Sequence, residues 1–276
     1  MELREHVPLA PYTTFGLGGK ARYFVECGSE DEVRAALAYA AERRLPVYVL
    51  GGGSNVVFLD SGFPGLILRL TIGGIELRDG PSPEVRAGAG VDWDTLVQNV
   101  VQRGWTGVEC LSGIPGTVGG TPIQNVGAYG QEIAESLVSV ECLDRTTLER
   151  RTFTARECAF GYRDSRFKRA DRGRYVVLDV TLRLARDQRP RIRYPELQRA
   201  VQSSAGSTPL LRARRSASYV RPCSRCGAAS PWCSTRRTRT RARPARSSPI
   251  RCCRPPPSPT SRSAGRRSPR FRLTGA

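Results

Sequence analysis

The chain has 276 residues, room for one large domain or two to three small ones, and a formal net charge of +19 that is unevenly distributed. All 25 acidic residues lie at or before Glu196, whereas residues 197–276 hold 19 arginines and no lysine, aspartate or glutamate. The front part is therefore neutral, and any argument for nucleic acid or a membrane surface would rest on the tail alone. No apolar run reaches the length of a membrane span, and the start is charged rather than signal-like, which points to a cytoplasmic protein.

In chain order, Ala21 to Val25 reads as a short strand. Ser29 with Glu32 forms a capping box that opens a helix to about Arg44 on Val33, Leu37 and Ala40. VYVL at 47–50 reads as a buried strand ending in Gly51-Gly52-Gly53-Ser54-Asn55, and LILRL at 66–70 as another. A strand around 84–87 precedes a helix from Asp92 to about Arg103, stopped by Gly104. Segments 138–143 and 149–153 alternate like a hairpin, and YVVLDVTLRL at 175–184 is a long strand with apolar residues on one face. The expectation is an α+β unit of two lobes, 1–75 and 76–186, followed by a further segment at 187–205. Beyond about residue 205 the pattern gives way to Arg, Ser, Pro, Cys and Thr, a composition expected to stay disordered.

Three stretches carry chemistry. Gly51 to Asn55 follows a strand directly; its glycines let the backbone approach a ligand and its N–H groups can cradle a pyrophosphate, although a tight turn is the bland alternative. The span Gly113 to Gly130, GIPGTVGGTPIQNVGAYG, holds six glycines and two prolines in an uncharged, partly apolar setting. That suits a flat, uncharged ring system held by main-chain groups better than a solvated linker. In CAFGYRDSRFK, residues 158–168, Tyr162 offers a phenolic donor and Arg163 a fork-shaped cation suited to a carboxylate. A surface ion pair between Arg163 and Asp164, with Tyr162 as packing, explains the same residues without function.

Taken together and in this order, VLGGGSNVVF, GIPGTVGGTPIQNVGAYGQEI and FGYRDSRFK, preceded by PLAPYTTFGLGGKARYFVE, resemble the UDP-N-acetylenolpyruvoylglucosamine reductase family. The resemblance covers about residues 5–200, including RIRYPEL. It implies a two-lobed FAD-binding domain of the vanillyl-alcohol-oxidase (PCMH) type and a third domain that closes over a sugar nucleotide. It also implies NADPH as reductant and UDP-N-acetylglucosamine enolpyruvate as substrate, in a monomer that needs no metal, no membrane and no specific nucleic acid. Gly51, Gly52, Gly53, Ser54 and Asn55, with Gly113, Ile114, Pro115, Gly116, Val118, Gly119, Gly120, Asn125 and Gly127, would hold the flavin. Arg163 would stabilise enolate-like charge with Tyr162 beside it in the flavin pocket, and Tyr194 would touch substrate. An oxidase of the same fold acting on a sugar or alcohol, and a basic-tail nucleic-acid binder, are the rivals.

The family's third domain carries a KSM segment and a GSFF segment with the proton-donor serine, and neither is present in the frame as read. Starting each codon at the third base of the visible one, permitted codons from Ala229 through Ile250 spell K-S-M-V-L-D-P-E-D-P-N-T-R-T-A-G-S-F-F-T-N-P. The same offset gives P-A-D-G-G from Phe271 to Gly275. The expectation is a shifted frame from about residue 200, which scrambles the serine codon into Ala245 and Arg246 and costs the chain the rest of that domain. The Cys223-x2-Cys226 pair is then noise rather than a zinc motif, while Cys27, Cys110, Cys142 and Cys158 read as idle thiols of a reducing compartment.

Overall fold

The computed structural model describes residues 1–186, 193–196, 198 and 199. The segment expected to begin a further domain lies mostly outside these residues, and the arginine-rich tail lies wholly outside them.

The first sheet has four strands: β1 (Leu3–Pro8), β2 (Lys20–Cys27), β3 (Val47–Leu50) and β4 (Phe63–Leu70), in the order β1-β2-β4-β3. β2 and β3 both run parallel to β4, so a crossover must join them, and α1 (Glu30–Glu42) supplies it. The Ser29 Oγ accepts from the Glu32 N–H at 3.3 Å, while the Glu32 carboxylate accepts from the Gly28 N–H at 2.7 Å. That reciprocal cap fixes where the helix begins. Val33, Ala36, Leu37 and Ala40 form its buried face.

The second sheet contains β5 (Ile75–Arg78) and β6 (Glu84–Gly88), then, after α2 (Trp93–Gln102), β10 (Leu137–Asp144), β11 (Arg150–Thr154) and β12 (Tyr175–Arg183). Its order is β11-β10-β12-β6-β5, with all pairings antiparallel. Short pieces fill the interval: β7 (Trp105–Thr106) pairs with β13 (Ala185–Arg186), and β8 (Gly127–Ala128) pairs with β9 (Gln131–Glu132).

Two strands differ from the sequence reading. β3 lies at a sheet edge with only Leu50 buried, because β4 covers just one of its sides. β12 is buried on both faces from Tyr175 to Val180, since it occupies the centre of the second sheet. The lone acid within that buried run, Asp179, is matched by a two-pronged ion pair from Arg86 at 2.8 and 2.9 Å.

One apolar cluster runs through both sheets, joining α1 and β4 to α2, β10 and β12. A smaller cluster of Leu9, Ala21, Phe24, Leu50, Phe58 and Ile67 covers the other face of the first sheet. Polar ties reinforce the join: Arg150 pairs with Glu30 at 2.6 Å, and Arg145 donates to the Val47 carbonyl. No helix among the described residues is long and apolar enough to cross a membrane.

Candidate functional site

The site is built where the two glycine stretches meet. Residues 51–55 leave β3 and press against residues 115–117 of the longer stretch. A Cβ on Gly52 would lie 2.8 Å from the Gly116 Cα, and the Ser54 Oγ donates to the Pro115 carbonyl at 3.3 Å. Asn55 donates to the Gln124 side chain at 2.9 Å, closing a second bridge between the loops. Of the three consecutive glycines only Gly53 has a positive φ, 69°, and a Cβ there would fall 1.9 Å from the Tyr12 carbonyl oxygen. These two glycines are thus required first by the chain's own backbone.

α2 anchors the longer stretch. Its N-cap Asp92 accepts from the Thr95 N–H, and Asp94 accepts from the Gly113 N–H at 2.7 Å and from Ser112. The Trp93 N–H donates to the Gly116 carbonyl, and its indole to the Leu111 carbonyl at 2.9 Å. Val118 and Gly119 are sewn to Val91 and Ala89, so they form the floor of the segment.

Between the loops lies a cavity of about 280 Å³. Of the residues expected to hold a cofactor, Gly51, Gly52, Gly53, Ser54, Asn55, Ile114, Pro115, Gly116 and Gly120 line it. Gly113, Val118, Gly119, Asn125 and Gly127 stand behind or beside it. Asn125, 1 % exposed, is a bracket: its amide donates to Glu132 and to the Gly161 carbonyl, and its oxygen accepts from the Ala134 N–H. Tyr48, Trp93, Thr117, Gln124 and Lys168 also line the cavity and were not singled out from sequence.

Arg163 and Tyr162 lie outside the lining. Arg163 is held in a left-handed conformation, φ 53°, and its guanidinium donates to the Gly127 carbonyl next to the cavity residue Val126. The turn beneath it is pinned by mutual hydrogen bonds of Gly161 and Asp164, and by the buried Ser165, whose Oγ donates to the Ile123 carbonyl at 2.6 Å. The bland reading of this turn does not hold. Asp164 pairs with Arg169 instead of Arg163, and that partner holds its carboxyl below the usual range. Tyr162 is 85 % exposed, so it is not a packing residue either.

Tyr194 meets Tyr129 edge-on with ring centroids 6.0 Å apart. Arg193 beside it donates to the Gly130 carbonyl at 2.8 Å and pairs with Glu135. Arg163, Tyr129 and Tyr194 therefore all gather around the β8–β9 turn, next to the cavity. Backbone strain accompanies this convergence, with Asn125, Tyr129 and Arg163 all at positive φ.

The donor set fits a dinucleotide with a flat ring. The walls are backbone amides, side-chain amides and hydroxyls, and apolar faces, with the Lys168 ammonium among them. A Cβ on Gly120, which lines the cavity, would meet nothing within 4 Å, so the backbone there stands open to a ligand. No cluster of metal-ligating side chains occurs among the described residues.

Residues 21–150 match the family described as an FAD binding domain. The chain is 46% identical over 210 residues to UDP-N-acetylenolpyruvoylglucosamine reductase from Salinispora arenicola, covering 75% of this chain and 57% of that protein. It is 47% identical over 204 residues to the Thermobifida fusca reductase, covering 73% and 57%. The crystal structure of UDP-N-acetylenolpyruvylglucosamine reductase from Thermus caldophilus superposes with a TM-score of 0.57 at 28% identity, covering 79% of this chain and 67% of that one. The chain thus spans somewhat over half the length of the curated relatives it matches. Within that span the chain is similar to these reductases, and residues 21–150 carry the match to an FAD binding domain.

Proposed function

We propose that this chain derives from an NADPH-dependent flavoenzyme that reduces UDP-N-acetylglucosamine enolpyruvate to UDP-N-acetylmuramate, a step of peptidoglycan synthesis in the cytoplasm. The observation that carries the reading is the junction of the two glycine stretches at Gly52 and Gly116, which creates the cavity while Arg163 is fixed on Gly127 beside it. The identity to reductases across this span supports the same reading.

In this reading Gly51 to Asn55 and Gly113 to Gly127 bind and orient FAD. Bound FAD supplies the two-electron hydride chemistry. Arg163, always charged and donor-rich, faces the developing negative charge beside the substrate carboxylate. Tyr129 and Tyr194 offer hydroxyls around the β8–β9 turn for the sugar nucleotide, and Tyr162 stands beside Arg163, its ring 5.8 Å from the guanidinium.

The reaction also needs an acid to deliver a proton to the neighbouring carbon. In the frame as read, residues 197–276 contain neither the KSM nor the GSFF segment, whereas a one-base offset permits codons that spell both. The chain as written therefore binds FAD but reduces the enolpyruvyl substrate poorly. FAD titration followed by absorbance and flavin fluorescence tests the first half. A folded protein that ignores added FAD would remove the proposal.

A further inference from the structure

Among the described residues that line the cavity, Lys168 is the only one with a charged side chain. Its surroundings single it out further. The basic residues around it are each matched: Arg166 pairs with Asp171, Arg169 with Asp164, and Arg163 binds the Gly127 carbonyl. Lys168 makes no ion pair within 4 Å among the described residues. Its field reaches Asp164, but that carboxylate already pairs with Arg169. Among the described residues the ammonium has one hydrogen-bond partner, the Arg163 carbonyl at 2.9 Å, which leaves two of its three N–H bonds uncommitted there.

We propose that Lys168 is the counter-charge of the cavity, pairing with an anionic group of the bound dinucleotide while its tether keeps it on the Arg163 backbone. This rests on the FAD reading above and deepens it. A neutral cradle of amides and hydroxyls can orient a dinucleotide, but it leaves the net negative charge of that ligand unmatched. A compact ammonium at the wall supplies that match as a point charge, with no demand for bidentate geometry. The anionic group has two possible sources in one ligand: the pyrophosphate, and the isoalloxazine ring once reduced. The tether also gives Lys168 a second effect. The carbonyl it binds belongs to a residue in the left-handed conformation, so cofactor charge and the Arg163 turn are mechanically joined.

The test uses the full chain and three proteins: wild type, Lys168→Gln and Lys168→Arg. FAD and riboflavin titrations are run at several salt concentrations, and the flavin midpoint potential is measured where flavin binds. If the pyrophosphate is the partner, Lys168→Gln weakens FAD about tenfold and flattens its salt dependence. Riboflavin affinity then stays unchanged, and Lys168→Arg recovers most of the loss. If the reduced ring is the partner, oxidised FAD binds Lys168→Gln normally but the midpoint potential falls, because a charge favouring the anionic form has gone. Equal FAD affinity, salt dependence and potential in folded wild type and Lys168→Gln would overturn the proposal. Failure of the folded wild type to bind FAD would overturn the parent reading as well, and the two failures are distinct.

Discussion

Glycines 53 and 120 separate the requirements of the fold from those of the ligand. At Gly53 a Cβ would sit 1.9 Å from the Tyr12 carbonyl oxygen, and φ is 69°. Gly53→Ala must therefore accept a left-handed residue, at about 1–2 kcal/mol, and also shift backbone that holds the Thr14 N–H on the Gly53 carbonyl. Together these suggest a loss of about 2–4 kcal/mol, or roughly 5–15 °C in Tm for a domain of this size. Gly120→Leu meets no such obstacle: its backbone is not left-handed, a Cβ there meets nothing within 4 Å, and the residue stands on the cavity wall. Its Tm without ligand should stay within about 2 °C of wild type, while a bulky side chain in the cradle weakens FAD by about a hundredfold or more. Thermal unfolding without flavin, paired with FAD titration, reads both effects. Wild-type FAD affinity in Gly120→Leu would place the flavin elsewhere. Undiminished stability in Gly53→Ala would refute the close-approach argument.

Other expected outcomes follow from the same contacts. Asn125→Ala breaks three hydrogen bonds of a side chain with 1 % exposure, so it should cost about 2–4 kcal/mol, measured by urea unfolding. Burial pushes the Asp144 carboxyl up, but hydrogen bonds from the Thr146 and Thr147 N–H groups and from Arg174 outweigh it and hold the group below its ordinary range. A depressed folded-state value contributes stability above the unfolded value of about 3.9 and loses it as pH falls through the folded one. Asp144→Asn should thus lower Tm at pH 7 and flatten the fall in Tm below about pH 4. Burial raises the thiols of Cys27, Cys110 and Cys158 to about 12, and Cys142 higher still, so iodoacetamide at pH 8 should leave all four unmodified in the folded protein, read by peptide mapping. In a gene with the frame restored, Arg163→Ala should slow flavin reoxidation by the enolpyruvyl substrate about 10²–10³-fold and leave reduction by NADPH nearly normal, resolved by stopped flow.

Local signals were legible because their causes are local. The Ser29 cap, the Asp92 cap and the Gly104 stop each act within one turn, and each helix lies within two residues of where they place it. The two glycine stretches stood out as candidate sites because so much glycine in uncharged sequence has few other uses, and they do meet at one cavity. Their internal logic was not, because Gly52 answers to Gly116, sixty-four residues away, and that contact exists only once both loops are folded. Likewise Asp164 stands next to Arg163 in sequence yet turns to Arg169, because the Gly161–Asp164 bridge sets its direction. Lys168 and Tyr129 sit within stretches that drew notice, but only the fold brings one to the cavity wall and the other against Tyr194. β1 and β5 went unread, being short edge strands with little buried surface to pattern them.

The central proposal is that this chain carries the flavin-binding part of an enolpyruvyl reductase and that residues 197–276, in the frame as read, do not spell the segments that would deliver the proton. The direct test is substrate-dependent NADPH consumption under anaerobic conditions, for this chain and for a gene corrected by one base, both loaded with FAD. The account predicts turnover by the corrected protein and almost none by this one. Equal rates from both would contradict the assigned frame and acid, and FAD-loaded protein inactive from either gene would contradict the substrate.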